Sequence, residues 1–381
     1  MHILNINSSI DLKSGGGTAE RTFQMSRFMA KHGATCTVLT LDIGLSNSRV
    51  VALAPAKAVV LPCIWPRFYV PWLKWKTIRR EVQDADFIHL MGHWSILNAF
   101  AYLAVRLSGK PYAVCPAGSL LLFGRSGWLK RIYNMLVGNS IIRNATAWIA
   151  VTQGEFPHFE AYGIPSSRIT VIPNGVNEEE FPVTDTEKFL NRSGLPVSPL
   201  ILFMGRLNQI KGPDLLLQAF LRVQACLPEF HLVFAGPDGG MHSQLSHIVD
   251  QEGLSERVHF LGYVSGEDKS ATYRSAKLLV VPSRQEAMSI VALEAGICGI
   301  PVLLTDQCGF NDVSKLDPRL EVSATVTGLA EGLTKLLSNP DVLKGIAPVW
   351  HDYVTEYYAW DVIVNSYLEL YGHILRKQKD K

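Results

Sequence analysis

Short apolar runs alternate with amphipathic stretches along almost the whole chain. In the first half the runs predict strands at His2–Asn7, Thr35–Leu41, Phe87–Leu90, Pro111–Cys115, Ala147–Val151 and Ile169–Ile172. In the second half they recur at Leu200–Phe203, His231–Ala235, Val258–Leu261, Leu278–Val281 and Pro301–Leu304. Helical periodicity fills the intervals, as in Ala19–Lys31, Pro213–Gln224 and Gly328–Leu337. Repeated strand–helix–strand units predict parallel sheets covered by helices, an α/β class. The periodicity breaks over residues 173–199, where Asn174-Gly175, Glu178 to Glu180, Pro182, Pro196 and Pro199 gather. Gly and Pro there predict a linker.

The expected organisation is therefore two Rossmann-like domains, over residues 1–175 and 200–355, joined by a linker over 176–199. The tail is amphipathic and aromatic (Tyr358, Trp360, Tyr367, Leu370, Tyr371). It predicts a C-terminal helix within 356–381, here read as Tyr357–Arg376, that returns to the first domain. Ligands of open α/β sheets bind beyond the carboxyl ends of the strands. Two such sheets facing each other across a cleft would place Arg206 and Glu286 on one wall.

Composition adds limits. A chain of 381 residues, 48% hydrophobic, can bury two cores. No apolar run is long enough to span a bilayer. Met1 to Asn7 reads as a strand that starts at once rather than as a signal peptide. The six cysteines, Cys36, Cys63, Cys115, Cys226, Cys298 and Cys308, form no CxxC pair and read as reduced core residues of a cytoplasmic protein. The net charge of +2 hides an asymmetry: residues 1–180 carry +7 and the remainder −5. That predicts different surfaces for different partners and is too weak for nucleic acid.

Four groups of residues could carry chemistry. Gly15, Gly16 and Gly17 follow the first strand and precede a helical pattern. Such glycines admit close backbone approach to a phosphate or sugar, although a plain strand-to-helix turn would look the same. The pattern is not GxGxxG, which argues against a dinucleotide site. Arg206 and Lys211, in Gly205-Arg-Leu-Asn-Gln-Ile-Lys-Gly212, follow a strand. They suit a diphosphate whose charge grows as it leaves, or else form an exposed basic loop. Glu286 and Glu294 straddle a strand-to-helix junction on the order of 10 Å apart, as for two ends of one ligand. Main-chain N–H groups of Met288, Ser289 and Ile290 would meet a diphosphate at the helix start. Glu294 sits among Val291, Ala292, Leu293, Ala295 and Ile297, so its carboxylate needs a partner.

Taken in order, these segments resemble the family 4 retaining glycosyltransferases, which have the GT-B fold. Gly15–Gly17, Ile172-Pro-Asn174-Gly-Val176, the GRLxxxKG segment at Gly205–Gly212, Ala235-Gly-Pro237, Val258-x-Phe260-x-Gly262 and the E-x7-E pair all fall in family order. The resemblance implies that Arg206 and Lys211 hold the diphosphate of a nucleotide sugar, Glu286 the sugar and Glu294 the ribose. It implies that Gly16, Gly17 and Asn174 belong to the donor site, and that the main chain of Tyr263 and Val264 meets the base. No metal and no cofactor are expected, only a UDP- or GDP-sugar donor. Asp84-Ala-Asp86 is literally DxD, yet it precedes a strand in the wrong place for a metal site.

Two departures matter. Many relatives carry EGFG where this chain has Glu286-Ala-Met-Ser289, so donor identity does not transfer. Many also carry a His in the turn that is here Cys115-Pro-Ala117-Gly118; His89 and His93, beside Trp94, are either stand-ins for it or plain core histidines. These five residues, His89, His93, Trp94, Ala117 and Gly118, are the expected acceptor side.

Two stretches, Trp65 to Arg80 and Leu120 to Arg131, mix aromatic and basic residues. They suit an anionic membrane interface, or else an acceptor groove or core. The resulting expectation is a hexosyltransferase acting on a saccharide acceptor, lipid-linked, at the inner face of the cytoplasmic membrane in bacterial-type cell-surface polysaccharide synthesis. The alternatives are a nucleotide-sugar 2-epimerase on the same scaffold and a non-catalytic saccharide-binding or assembly protein.

Overall fold

A computed structural model describes residues 1–120, 127–310 and 312–379. Leu121, Leu122, Phe123 and Arg125 of the second aromatic–basic stretch lie outside the described residues. The chain forms two compact units, one of residues 1–174 with 360–381, the other of residues 175–359.

The first unit contains β1 (His2–Ile6), β2 (Thr35–Leu41), β3 (Lys57–Leu61), β4 (Cys63–Trp65), β5 (Val70–Pro71), β6 (Phe87–Met91), β7 (Tyr112–Cys115), β8 (Ala147–Ala150) and β9 (Ile169–Val171). Seven of these make one parallel sheet in the order β3-β2-β1-β6-β7-β8-β9, while β4 and β5 pair as a small antiparallel hairpin. The second unit contains β10 (Leu200–Met204), β11 (His231–Ala235), β12 (Val258–Gly262), β13 (Ala276–Val281), β14 (Val302–Thr305) and β15 (Glu321–Val322). They form a parallel sheet in the order β12-β11-β10-β13-β14-β15. In each unit the order reverses beside the first strand, at β1/β6 and at β10/β13. Those reversals are where open sheets leave a crevice at their carboxyl ends.

The strands read from the apolar runs are all present, because runs such as Leu-Ile-Leu-Phe-Met in β10 are buried on both faces. The missed strands are the weak ones. β3 is a half-exposed edge strand and β15 has two residues. The first helix runs Leu12–Lys31, earlier than the Ala19 start expected, and breaks at Gly16 (φ 59°, ψ −146°).

The expected linker is not a separate segment. Residues 176–199 lie inside the second unit and include a helix, Thr186–Ser193, capped by the Asp185 carboxylate and closed by a left-handed Gly194. The Val176 N–H donates to Tyr358 O (2.8 Å), tying the start of that unit to its end. The chain returns to the first unit between Ala359 and Trp360. Two helices meet there, Pro340–Tyr358 and Trp360–Lys379, in place of the single helix read from Tyr357.

The returning helix is part of the first unit's core. Trp360, Tyr367 and Tyr371 are buried, and Tyr371 stacks on Phe87 at 4.1 Å. Its Tyr367 hydroxyl accepts from Arg21, a fully buried guanidinium that also donates to Ile172 O (2.7 Å) and Asn174 Oδ1 (2.6 Å). One side chain on the first helix thus ties down both the segment that leaves this unit and the helix that comes back. Of the cysteines, Cys36, Cys115, Cys298 and Cys308 are buried as expected. Cys63 is half-buried and Cys226 exposed, so the last two are not core residues.

Burial in this unit has a consequence for stability. It pushes His89 down to about 3 and His93 down to about 4. Both folded values lie below the ordinary 6.5 of an unfolded chain, so the stabilising contribution is present above 6.5 and is lost as pH falls towards 4. Between pH 7 and 5 each histidine should remove about 2 kcal/mol. Urea midpoints followed by tryptophan fluorescence should fall over that interval, and His93→Gln should remove about half of the dependence. A midpoint unchanged from pH 7 to 5 would overturn the assignment.

Candidate functional site

In the second unit β10 pairs with β13, so the loops that follow them are neighbours at the carboxyl edge. The first carries Arg206 and Lys211, the second Glu286. Lys211 Nζ and Glu286 Oε1 form an ion pair, and Ser283 Oγ donates to the other carboxylate oxygen (3.0 Å). Arg206 is exposed, its stem lying over Gly239. The cation expected to hold the diphosphate and the carboxylate expected to hold the sugar are therefore joined to each other.

Close backbone approach makes this arrangement possible. Gly212 has φ +67°, and a Cβ there would lie 2.1 Å from Pro282 O. Gly236, at φ +145°, would put a Cβ 1.9 Å from Gly205 O. These two glycines let the loop after β10 sit between the loops after β11 and β13.

Arg284, two residues before Glu286, went unassigned in the sequence. Its guanidinium forks onto Asp214 (2.8 and 2.6 Å), its Nη1 also donates to Gln209 O (2.8 Å), and its main-chain N–H donates to Ile210 O (2.8 Å). The planar fork matches a carboxylate in a way that Lys would not. Arg284 fixes the height of Lys211 against Glu286. Its only sequence signal was a cation beside the first carboxylate.

The helix Ile290–Ile297 follows. Ser289 precedes it in an extended conformation, and its hydroxyl is fully buried without a hydrogen-bond partner among the described residues. A buried, unsatisfied hydroxyl costs about 1–3 kcal/mol. Met288 is buried and Ile290 half-buried. Glu294 lies just over one turn into the helix, buried, with the partners its apolar neighbours required. Lys269 Nζ and Tyr273 OH each donate to it at 2.6 Å. Burial, and then the Glu294 charge, hold the Tyr273 hydroxyl protonated. Neither Lys269 nor Tyr273 was legible, because they come from the helix Gly266–Arg274 and no spacing links them to Glu294. Tyr263 is exposed and Val264 half-buried just after β12.

In the first unit some of the expected residues belong to the core. Gly16 supplies the left-handed break in the first helix, and Gly17 is exposed beside it. Asn174, expected to meet the donor, is buried with its side-chain oxygen held by Arg21. His89 is a core residue: it is fully buried in β6 and its Nδ1 shares a hydrogen bond with the Tyr371 hydroxyl, so it does not stand in for the missing turn His. His93 is also buried, donating from Nε2 to Asn134 Oδ1 (2.8 Å), with Nδ1 unpartnered among the described residues. Trp94 is half-buried and its indole N–H donates to Ser119 O.

Ala117 has φ +49° and Gly118 φ +83°, a left-handed pair just beyond β7. Buried Glu155 holds that turn, its two oxygens accepting the N–H groups of Gly118 and of Val151 (2.6 Å). Burial raises the pKa of this carboxyl, opposed by those two hydrogen bonds. The DxD segment has local work: Asp86 Oδ2 accepts the His2 N–H at 2.7 Å.

Comparison with known proteins agrees with this architecture. The model of "Glycosyltransferase Family 4" matches residues 15–180, and that of "Glycosyl transferases group 1" matches residues 185–347. An uncharacterized glycosyltransferase of Methanocaldococcus jannaschii is 31% identical over 220 residues, 55% of each chain. A D-inositol 3-phosphate glycosyltransferase of a Mycobacterium species is 38% identical over 144 residues, 36% of this chain and 31% of that one. The matches thus span about half and about a third of these two relatives. Anabaena HepE, solved with UDP and glucose, superposes with a TM-score of 0.78 over 98% of this chain and 100% of that one, at 17% identity. That likeness carries the fold alone, the GT-B fold. The two family models account for nearly the whole chain, which belongs to glycosyltransferase family 4.

Proposed function

We propose that the protein is a metal-independent retaining glycosyltransferase that moves a hexose from a UDP- or GDP-sugar to a saccharide acceptor carried on a lipid. The observation that carries this reading is the Lys211–Glu286 ion pair beside Arg206 and the start of the Ile290–Ile297 helix. Cations and a helix N-terminus suit a diphosphate, and a carboxylate suits sugar hydroxyls. A protein of the same fold, Anabaena HepE, was solved with UDP and glucose, so UDP is the first nucleotide to test. The expected place of action is the inner face of the cytoplasmic membrane, in cell-surface polysaccharide synthesis.

The reaction we assign is a front-side displacement. The bond from the sugar anomeric carbon to the leaving phosphate oxygen breaks, while the acceptor oxygen bonds to the same face. The acceptor proton passes to a donor phosphate oxygen. Arg206 and Lys211 offset the charge that develops on the departing diphosphate, a preorganised electrostatic role. Glu286, released from Lys211 by the incoming phosphates, is then free to accept from the sugar.

A thermal-shift screen with UDP, GDP, CDP and ADP in EDTA tests donor binding. One nucleotide should raise the melting temperature by a few degrees, and no shift with any of them would sink the donor-site reading. Arg206→Ala should lower turnover by on the order of 10²–10³ with the melting temperature unchanged, because the side chain is exposed. Unchanged turnover would remove Arg206 from the mechanism. Release of a free epimerised sugar without acceptor would favour the 2-epimerase instead.

The two ends of the ion pair should separate in binding experiments. Lys211→Met is expected to weaken nucleotide affinity measured by calorimetry, whereas Glu286→Gln should leave that affinity nearly intact and lower turnover. Equal losses of nucleotide affinity in both variants would contradict the division of roles.

A further inference from the structure

We propose that one layer of the first unit is a docking surface for an anionic lipid bilayer. It is built from the β4–β5 hairpin and the helical segment Gly127–Gly138, both of which touch the Ile96–Ser108 helix. The inference deepens the lipid-linked acceptor reading, but it stands on its own observations.

The apolar side chains on these elements face solvent. In the hairpin region Trp65 is 56% exposed, Trp72 59% and Leu73 50%. In the helical segment Gly127–Gly138 Trp128, Met135 and Leu136 are exposed. Single exposed apolar residues need no explanation, but a run of large ones on adjoining elements does.

The elements adjoin. β5 and the Trp75–Asp84 helix both pack against the Ile96–Ser108 helix. From the other side, Tyr133 OH donates to Ser95 O (3.0 Å), at the start of that same helix. The inward residues Tyr69, Trp75, Tyr133 and Val137 all pack on the same buried cluster. The sequence expectation is corrected in detail here: Ile78 is core and Trp75 and Tyr69 are half-buried, while the indoles of Trp65, Trp72 and Trp128 are free to enter a lipid interface.

Charge identifies the occupant. Residues 43–154 contain 13 Lys and Arg but only three acids, Glu81, Asp84 and Asp86. Of these, Glu81 pairs with Arg80, and Asp86 is engaged by the His2 N–H. Arg67, Lys74, Lys76, Arg79 and Arg131 are exposed around the aromatic residues. Tryptophan belongs at the headgroup level, and each cation near an anionic surface adds a modest attraction. Apolar insertion and basic attraction together make a reversible anchor that neither makes alone.

Position supplies the purpose. β3 leads into the hairpin and β7 leads towards Gly127–Gly138, so both docking elements emerge from the carboxyl edge of the sheet. The break at Gly16 and the left-handed turn at Ala117 lie at that same edge. A saccharide rising from a lipid headgroup would reach the residues assigned to the acceptor without leaving the bilayer surface.

Sedimentation of the full chain with vesicles tests this. One set is phosphatidylcholine alone, the other phosphatidylcholine mixed with phosphatidylglycerol, each at low and high salt. Binding to the anionic set, weakened by salt, is expected. Trp65→Ser with Trp72→Ser should reduce partitioning by on the order of tenfold, and Arg79→Gln or Lys76→Gln by roughly fivefold each. The melting temperature is followed in every variant. No binding, equal binding to both vesicle sets, or binding that the variants leave unchanged would overturn the docking surface. UDP and GDP shifts are measured on the same samples. Vesicle binding without any nucleotide shift supports the docking surface and sinks the transferase reading, whereas a nucleotide shift without vesicle binding does the reverse.

Discussion

Everything assigned to the donor side depends on β10 lying next to β13. Strand order reverses at that pair, so the helix after β10 and the helix after β13 cover opposite sides and leave the carboxyl edge open. The two loops that emerge there are separated by about eighty residues in sequence, yet a backbone hydrogen bond from Arg284 to Ile210 locks them side by side. Gly212 is the steric condition for that lock, since a side chain would collide with the Pro282 carbonyl. The Arg284 fork on Asp214 is its electrostatic counterpart. Lys211 and Glu286 meet because of these contacts and not because of their own attraction, which is a partly exposed pair of modest worth.

The same edge carries two ion pairs, Lys211–Glu286 and Lys269–Glu294, that leave no carboxylate of the E-x7-E pair uncompensated. This follows from burial. Glu294 lies in an apolar helix whose neighbours cannot solvate it, and a lone carboxylate there would be strongly disfavoured. A ligand entering such a site exchanges partners and does not fill a charge vacuum. The pair at Lys211–Glu286 is the easier one to exchange, because Lys211 is about a third exposed and can swing to a phosphate. The Glu294 cluster is held from two sides and is the more permanent fixture.

The sequence was legible where one local pattern decides the outcome. Buried parallel strands read as continuous apolar runs, so the core of both sheets could be predicted; edge strands such as β3 could not, since half of Lys57–Leu61 faces water. The ordered motifs pointed to Arg206, Lys211, Glu286 and Glu294, which the fold brings to the edge of one sheet. The failures share a cause. Arg284, Lys269, Tyr273, Glu155 and Arg21 act through contacts with residues distant in sequence, and no periodicity reports those. Asn174 was carried over with the family motif that contains it, and His89 was one of two candidates to replace the missing turn His. In the fold they satisfy a buried guanidinium and a buried tyrosine.

The first unit solves a harder problem than the second, since it must be rigid inside and apolar outside at the same edge. Its rigidity comes from buried polar groups that bridge distant segments. Arg21 has partners on three segments, and Glu155 clamps Gly118 and Val151. A left-handed Ala117 is a strained choice for a residue with a Cβ, and it persists because the hydrogen bonds of Gly118 and Ser119 hold the turn on both sides of a strand end. Such a turn keeps its shape without a ligand. The aromatic residues proposed to dock on a bilayer differ: Trp65, Trp72 and Trp128 are each more than half exposed to solvent. A stiff turn in the same unit as a surface that seeks an interface is the arrangement expected where an acceptor arrives already attached to that interface.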